Sequence, residues 1–179
     1  MTKRGYYPIL FSVILVSSSG CSDEGRSNGG SVSKNTVVVN ANDYLLAAEP
    51  AGSRGVIELR KEAKDGDEVV VAGRVGGSKE PIVKGRAAFT IVDSSFVPCN
   101  EREGDECKTP WDYCCDTKED LAKGSVMVKF VDAQGKTLQQ DAEGLLGIRP
   151  LRTVVVCGRA KRDLDGNLTV VASKLFVKQ

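Results

Sequence analysis

The sequence contains no histidine, and this absence excludes several classes of function. Without an imidazole, the chain cannot form a Ser-His-Asp or Cys-His catalytic arrangement, a His-ligated zinc site or a histidine pH switch. Aromatic residues are scarce at 6%, and proline accounts for only 6 of the 179 residues. Hydrophobic residues make up 41% of the chain. This composition excludes a collagen-like or wholly disordered protein and is typical of one globular domain.

The chain also lacks the short motifs of common enzymes. It has no nucleophile elbow, no P-loop and no dinucleotide-binding glycine motif. Gly76 and Gly77 follow a predicted strand but precede no predicted helix, which indicates a turn. The carboxylates cluster without an apolar run that would raise one pKa for catalysis. We therefore predict a protein that is not an enzyme.

The first twenty residues have the layout of an export signal. Lys3 and Arg4 precede an apolar run from Tyr6 to Val16, followed by small residues up to Cys21. As a helix the apolar run would span about 16 Å, short of the roughly 30 Å of a bilayer core. Ser-Ser-Gly directly before Cys21 resembles the bacterial lipobox, in which the cysteine is acylated and becomes the mature N-terminus. A simply cleaved signal peptide, with Cys21 as an ordinary thiol, is the alternative.

These features predict the location of the protein and the organisation of its N-terminal part. We expect a signal peptide over 1–20, then the lipidated cysteine and a flexible Ser- and Gly-rich tether over 21–41. The protein would be held by its lipid on a membrane of the bacterial cell envelope and would face the periplasm. Ser22 rather than Asp follows the lipidated cysteine, which favours the outer membrane.

The remaining chain is predicted to be mostly β. A lead-in over 42–67 is expected to contain two short helical segments, 43–49 and 55–67. A third short helix is expected over 137–147. Dense β-branched residues bounded by turn residues predict five strands, over 68–75, 86–93, 125–132, 152–162 and 167–178. In the third strand, Val126, Val128 and Phe130 should point to one face and Met127, Lys129 and Val131 to the other.

The predicted order β-β-β-α-β-β is that of the OB-fold. Gly73-Arg74-Val75, Gly85-Arg86 and the sequence FTIVD at 89–93 are similar to the opening strand pair of OB domains of the anticodon-binding kind. The stretch 49–75, together with TPWDYCC at 109–115, resembles a group of exported OB-like bacterial lipoproteins of planctomycete type. The resemblance implies a five-stranded OB-like barrel within 68–179, interrupted by a long insertion at 94–124 between its second and third strands. A small β-sandwich is the alternative.

That insertion, which we call the cysteine loop, contains Cys99, Cys107, Cys114 and Cys115. A connection this long needs cross-links to hold a shape. In an exported protein, disulfides are the default. Because a bond between the adjacent pair would be strained, Cys114 and Cys115 are expected to form disulfides with Cys99 and Cys107 in either of the two crossed pairings.

The first alternative to disulfides is a thiolate site for zinc or Cu(I), although the spacing C-x7-C-x6-C-C lacks closely spaced pairs. The second alternative is unbonded thiols. No other cofactor is predicted. Cys157, within the fourth strand, is interpreted as a buried spectator.

Charge is segregated between the barrel and the loop. Residues 98–120 contain eight carboxylates against three basic residues, whereas basic residues predominate on the strands. A ligand face could therefore combine strand cations with loop aromatics: Arg74, Arg86, Lys129, Arg159, Trp111 and Tyr113. The competing interpretations are a solvated barrel surface, cations that dock the acidic loop, and a small core around the two aromatic residues.

The combined features favour a membrane-anchored, non-enzymatic OB-like module that binds another protein or an envelope component. The cysteine loop would be its recognition element, because loops beside a rigid barrel are where such folds bind ligands. A metal-binding lipoprotein is the first alternative. A binder of single-stranded nucleic acid is the second, disfavoured because export removes the protein from cytoplasmic RNA and DNA.

Overall fold

The computed structural model describes residues 39–104 and 106–178. The predicted export signal, the lipidation site Cys21 and most of the predicted tether lie outside the described residues. The five predicted strands all have counterparts within them.

The described residues form a mostly β structure that closes on itself. The strands are β1 Arg54–Gly55, β2 Glu68–Val75, β3 Ala88–Val92, β4 Ser125–Phe130, β5 Thr153–Arg162 and β6 Leu168–Val177. Their order is β1-β2-β3-β4-β6-β5, and β5 pairs back onto β2 to close a five-stranded barrel. Within the barrel, β4 and β6 run parallel and the other neighbours are antiparallel. The predicted OB-like barrel is confirmed.

Within residues 39–104 and 106–178, three short helices and three 3₁₀ turns accompany the strands. The helices are α1 Val56–Glu62, α2 Lys118–Gly124 and α3 Ala142–Leu146, and the turns are Ala41–Asp43, Cys99–Glu101 and Pro110–Asp112. Helix α3 follows the third barrel strand and precedes the fourth, as predicted. Helix α1 lies inside the predicted segment 55–67 but ends before its glycine.

The structure differs from the prediction at three local points. The segment 43–49 is not helical beyond Asp43, the last residue of the 3₁₀ turn, because the carbonyl of Tyr44 and the N–H of Leu46 bond to the backbone of Leu175 in β6. Strand β1, which was not predicted, pairs in parallel with β2 where β3 does not reach. Helix α2, also unexpected, starts from Thr117, whose hydroxyl accepts the N–H of Asp120 at 3.1 Å.

The barrel interior is filled by alternate residues of the strands. In β4 the side chains of Val126, Val128 and Phe130 are at most 2% exposed, and the intervening residues are half-buried, as the alternation predicted. Phe89 of β3 is also fully buried. The core includes residues of α1 and α3, but no member of its cluster comes from the described part of the cysteine loop. The barrel therefore has a hydrophobic core that does not depend on the loop.

Candidate metal centre

The cysteine loop, residues 94–124, leaves and re-enters the barrel at neighbouring positions. Val92 at the end of β3 pairs with Ser125 at the start of β4. The backbone N–H of Asp93 donates to the carbonyl of Gly124 at 2.8 Å. The pairing of β3 with β4 thus fixes both ends of the loop. The conformation of the residues between these ends depends on other contacts.

The loop has a small hydrophobic centre around Tyr113. This side chain is fully buried, and its ring meets that of Phe96 edge-on at a centroid distance of 6.3 Å. Phe96 in turn covers Gly124 so closely that a Cβ atom on this glycine would clash with the ring. Burial of Tyr113 matches the interpretation of this residue as part of a small core, but its ring partner is Phe96 and not Trp111, which is half-buried. Burial leaves the Tyr113 ring unable to serve as an exposed ligand platform.

Trp111 attaches the loop to the turn between β2 and β3. Its carbonyl accepts the N–H of Gly77 at 2.8 Å, and its indole N–H donates to the carbonyl of Lys79 at 3.1 Å. A Cβ atom on Gly76 would lie 2.7 Å from the Trp111 carbonyl oxygen. The absence of a side chain at Gly76 therefore allows the loop backbone to approach the barrel closely.

The four loop cysteines meet in one place. The sulfur of Cys99 lies 3.6 Å from that of Cys114 and 3.8 Å from that of Cys115. The sulfurs of Cys107 and Cys114 are 3.7 Å apart. A disulfide bond is about 2.05 Å long, so none of these three pairs is bonded. Each of the two crossed pairings therefore contains at least one pair of sulfurs that is not bonded.

The distances between the sulfurs do not favour any one disulfide pairing over the other. Cys99 is almost equally close to Cys114 and Cys115, and Cys114 is almost equally close to Cys99 and Cys107. A sulfur can form only one disulfide, whereas a metal ion brings several thiolates to equal mutual distances. With zinc–sulfur bonds of about 2.3 Å, the edge of a tetrahedron is about 3.8 Å. The observed separations match that edge.

One oxygen donor belongs to the same cluster. Four side chains have ligand atoms within 4.8 Å of one another and could hold a metal ion: Cys99, Cys107, Asp112 and Cys114. The carboxylate of Asp112 is held in place by Thr109, whose hydroxyl donates to it at 2.8 Å, and by the N–H of Cys114 at 3.0 Å. These hydrogen bonds orient the carboxylate as an outer partner orients a metal ligand.

Sequence reasoning missed Asp112. The spacing C-x4-D-x-C-C contained the signal, because an acidic residue inside a turn between two cysteines can add an oxygen ligand. The turn itself could be recognised from Thr109-Pro110 at the start of the 3₁₀ segment. Cys99 lies far from it in sequence, so only the folded loop shows that one carboxylate joins three sulfurs.

Electrostatics around the cluster favour a thiolate at Cys99. Burial raises the pKa of this thiol, but hydrogen bonds from the Cys114 thiol and from the backbone N–H groups of Cys115 and Cys114 outweigh burial and lower the pKa. Hydrogen bonding to Cys99 and then to Cys107 raises the pKa of Cys114. A metal ion that bound Cys114 as a thiolate would displace this proton.

Arg102 adds a positive charge beside the sulfurs. Its guanidinium donates to the carboxylate of Asp116 at 2.6 Å and to the carbonyl of Val97 at 3.2 Å. The hydrogen bond to Asp116 raises the pKa of Arg102, and the charges of Asp116, Cys115 and Cys99 act in the same direction. A guanidinium held in this place stabilises the thiolate forms that a metal requires.

The cations of the predicted ligand face do not share one surface. Arg74 forms an ion pair with Glu101 of the cysteine loop at 3.0 Å, and Arg159 forms one with Glu68 at 3.1 Å. Glu68 and Arg74 are at opposite ends of β2, about 20 Å apart along the strand. The ion pair between Arg74 and Glu101 agrees with the alternative interpretation, in which strand cations bind the acidic loop.

The remaining predicted residues lie elsewhere. Lys129 of β4 and Arg159 of β5 both pair in register with Val171 of β6. The two cations therefore flank Val171 on the outer surface of the barrel. Arg86 precedes β3, and its carbonyl accepts the N–H of Ala142 at 3.2 Å. Cys157 is half-buried in β5, and burial raises the pKa of its thiol.

No protein-family model matches the sequence, and no curated protein matches it. The resemblances to anticodon-binding OB domains and to exported lipoproteins therefore stay predictions. Across residues 39–104 and 106–178, no helix combines the length and the apolar character needed to cross a bilayer.

Proposed function

We propose that the protein is a non-enzymatic binding module in which an OB-like barrel presents a loop held together by one zinc ion. The observation that carries the proposal is the spacing of the loop sulfurs. Within the four-donor cluster, the sulfur of Cys114 lies 3.6 Å from that of Cys99 and 3.7 Å from that of Cys107, close to the edge of a tetrahedral zinc–thiolate site. Disulfides would bring two pairs to bonding distance and leave the others apart.

The number of donors supports a structural role for the ion. Structural zinc sites fill all four positions with protein ligands, whereas catalytic sites keep one position for water or substrate. Three sulfurs and the Asp112 carboxylate form the mutual cluster, and Cys115 is a further sulfur beside Cys99. With all four positions supplied by the chain, the ion would organise the loop and perform no chemistry.

The chemistry of the donors supports zinc over Cu(I). Thiolates accept either ion, but a carboxylate oxygen is a good ligand for zinc and a poor one for the softer Cu(I). Asp112 is already oriented towards the sulfurs by two hydrogen bonds. A site of three thiolates and one carboxylate therefore favours zinc.

The proposed place of action is the periplasmic side of a bacterial envelope membrane, the outer membrane being preferred. This part of the proposal is supported by the sequence alone, through the apolar run 6–16 and the lipobox-like residues before Cys21. The proposed partner is another protein or an envelope component that meets the cysteine loop. Burial of Phe89 and Phe130 leaves these strand aromatics unable to stack on bases, which speaks against a nucleic-acid partner.

Native mass spectrometry of protein purified anaerobically from its own compartment tests the proposal. We expect one zinc ion per chain, removable by a strong chelator. Changing a central ligand, Cys99→Ser or Cys114→Ser, should lower zinc affinity at least about tenfold, since each removes one of four bonds. Cys157→Ser is the matched control, because this thiol lies in β5 outside the cluster.

Two outcomes would overturn the proposal. A chain four hydrogens lighter than the reduced mass, with no metal, would establish two disulfides in place of zinc. Copper that zinc cannot displace would refute the assignment of the ion. The variants Asp112→Asn and Cys115→Ser identify the fourth ligand, because the one that lowers affinity more supplies the bond.

A further inference from the structure

A pocket with a volume of about 980 Å³ opens where α1, α2 and the first part of the cysteine loop meet. Helices α1 and α2 pack against each other beneath it. Its volume is at the upper end of the range found for sites that bind small organic ligands. None of the metal-cluster residues lines it, so it is a feature separate from the proposed zinc site.

One wall of the pocket is apolar. It is formed by Ile57 of α1 and by Phe96 and Val97 of the cysteine loop. Val97 is 44% exposed, which is unusual among the large hydrophobic side chains of the described residues. An exposed apolar side chain inside a concave surface gains free energy when a ligand covers it, at about 25 cal/mol per Å² of apolar area.

The rim of the pocket has an excess of positive charge. Four basic side chains and two carboxylates line it: Arg60, Lys61, Arg102, Lys123, Asp116 and Asp120. Both carboxylates already accept hydrogen bonds, Asp116 from Arg102 and Asp120 from the Thr117 hydroxyl. Within the described residues, neither Lys61 nor Lys123 has an ion pair. Among these residues Asp120 also has no ion pair, and with four basic groups against two carboxylates the net charge of the rim is positive.

Arg60 strengthens the positive potential at the α1 side. Its guanidinium donates to the carbonyl of Ser125 at 3.0 Å, which fixes the half-buried side chain against the start of β4. Burial, and then the charge of nearby Arg162, lower the pKa of Arg60. Two guanidinium groups close together in a partly desolvated place create a potential that an anion would relieve.

We infer that this pocket binds an amphiphilic organic anion. The apolar body of the ligand lies against Ile57, Phe96 and Val97, and its anionic group lies between Lys61 and Lys123, with Arg60 close by. The inference goes beyond the proposed function, because it names a ligand class and requires no zinc chemistry. It is consistent with a binding module, since the pocket lies between the barrel helices and the cysteine loop.

A pair of fluorescent probes tests the inference on the purified protein. Anilinonaphthalene sulfonate combines an aromatic body with an anionic group, and N-phenyl-1-naphthylamine has the same body without the charge. We expect the folded protein to bind the sulfonate at one site at least about tenfold more tightly than the amine, because only the sulfonate can pair with the rim cations.

Two sets of variants separate the charged rim from the apolar wall. The double variant Lys61→Gln and Lys123→Gln should weaken binding of the sulfonate about fivefold or more and leave binding of the amine unchanged. Val97→Ser should weaken both probes, because it removes apolar contact area. These three side chains are exposed, so the variants are expected to keep the fold.

The matched control is the double variant Lys129→Gln and Arg159→Gln, which removes two positive charges from the barrel surface outside the pocket. It should bind both probes as the parent protein does. Equal weakening by the control variant, or unchanged sulfonate binding by the Lys61 and Lys123 variant, would overturn the inference. Binding to vesicles of anionic phospholipid that requires both lysines, without binding of the soluble sulfonate, would overturn it in favour of a membrane surface.

The metal content of each sample, measured beforehand, keeps this result separate from the proposed function. If zinc is bound and the probes do not bind, the pocket inference alone fails. If the probes bind as expected to protein that contains no zinc, the proposed metal site alone fails.

Discussion

Asp93 is the residue where the barrel, α1 and the cysteine loop are joined. This residue is only 7% exposed, and its carboxylate accepts hydrogen bonds from the N–H of Ile57 at 2.9 Å and from the N–H and hydroxyl of Ser95 at 3.0 and 2.8 Å. It thereby caps the N-terminus of α1, where a negative charge is favourable. A Cβ atom on Gly55 would lie 2.7 Å from this carboxylate, so the close approach requires glycine.

The stability of the protein should depend on the charge of Asp93. Burial raises the pKa of this carboxyl group, but the hydrogen bonds from Ile57, Ser95 and Val56 outweigh burial and lower it. The charged form therefore stabilises the fold fully above the unfolded-state pKa of about 3.9, and this contribution is lost as the pH falls through the folded-state value. We expect Asp93→Asn to lower the free energy of unfolding by about 2 kcal/mol at pH 7.

Urea unfolding at pH 7 and at pH 3 measures both effects. The difference in stability between parent and variant should shrink at the lower pH, because the parent has then lost part of the same charge. Asp165→Asn, in the exposed turn between β5 and β6, is the control and should change little at either pH. A difference that stays constant between the two pH values would contradict this account of Asp93.

At the scale of elements, the cysteine loop is attached to the barrel through the turn at Gly76. The Trp111 carbonyl and the Tyr113 ring lie 2.7 and 2.8 Å from the position of a Cβ atom on this glycine. A backbone oxygen cannot move aside as the end of a flexible side chain can. Any side chain at position 76 therefore displaces the segment that leads directly into Asp112, Cys114 and the sulfur cluster.

We expect Gly76→Ala to lower zinc affinity about tenfold while the barrel stays folded, because shifting the supports of metal ligands costs affinity on this scale. Competition with a chromophoric zinc chelator measures the affinity, and circular dichroism follows the strands. Gly144→Ala is the matched control: this glycine lies in α3, no atom lies within 4 Å of its Cβ position, and alanine there should leave zinc affinity unchanged. Equal zinc affinity for the parent and Gly76→Ala would contradict the claim that the contact at Gly76 positions the metal ligands.

At the scale of the whole molecule, the barrel and the cysteine loop are stabilised by different sets of contacts. The barrel core is a cluster of buried residues from the strands, α1 and α3, and the described loop residues contribute none of its members. The loop is held by its small aromatic centre, its contacts with the turn at Gly76, and the sulfur cluster. Because proteins open locally where buried apolar contacts are few, the loop should open without the barrel.

Removing the proposed zinc ion should therefore release the loop and leave the barrel intact. We expect a strong chelator to accelerate tryptic cleavage after Arg102 and Lys108 about tenfold or more, with little change in the far-ultraviolet signal of the strands. Mass spectrometry of the fragments locates the cuts. Cys157→Ser should behave as the parent does, with and without chelator. Cleavage within β2 or β5 at the same rate as in the loop would show that barrel and loop unfold together.

The five barrel strands could be predicted because their signal is local. Strand β2 is found where it was expected, over Glu68–Val75, and the other four differ from the predicted bounds by one or two residues. Each is dense in β-branched residues and is bounded by turn residues, which is sufficient to indicate a strand. The segment 43–49 could not be predicted in this way, since hydrogen bonds to Leu175, far along the chain, replace its helix.

The candidate metal site could be predicted only in part. The sequence identified four cysteines in one long loop and gave metal as the alternative to disulfides, whereas the choice between them depends on distances that spacing does not specify. Asp112 was missed, and Arg74, Arg86, Lys129 and Arg159 do not form one surface. Side chains that are distant in sequence meet only where strand register and close glycine contacts bring their backbones together.

By itself, the sequence determined the order of strands and helix along the chain, the insertion of a cysteine-rich loop after the second barrel strand, and the segregation of acidic residues into that loop, since all three follow from local patterns of residue type. The closure of the strands into a barrel came from the tertiary structure. Only the tertiary structure decided that Cys99 has two sulfur neighbours at nearly equal distance, that Asp112 joins them, and that Val97 and Lys61 border one pocket. These facts are relations in space between segments that are far apart along the chain, and they exist only once the barrel has fixed the two ends of the loop.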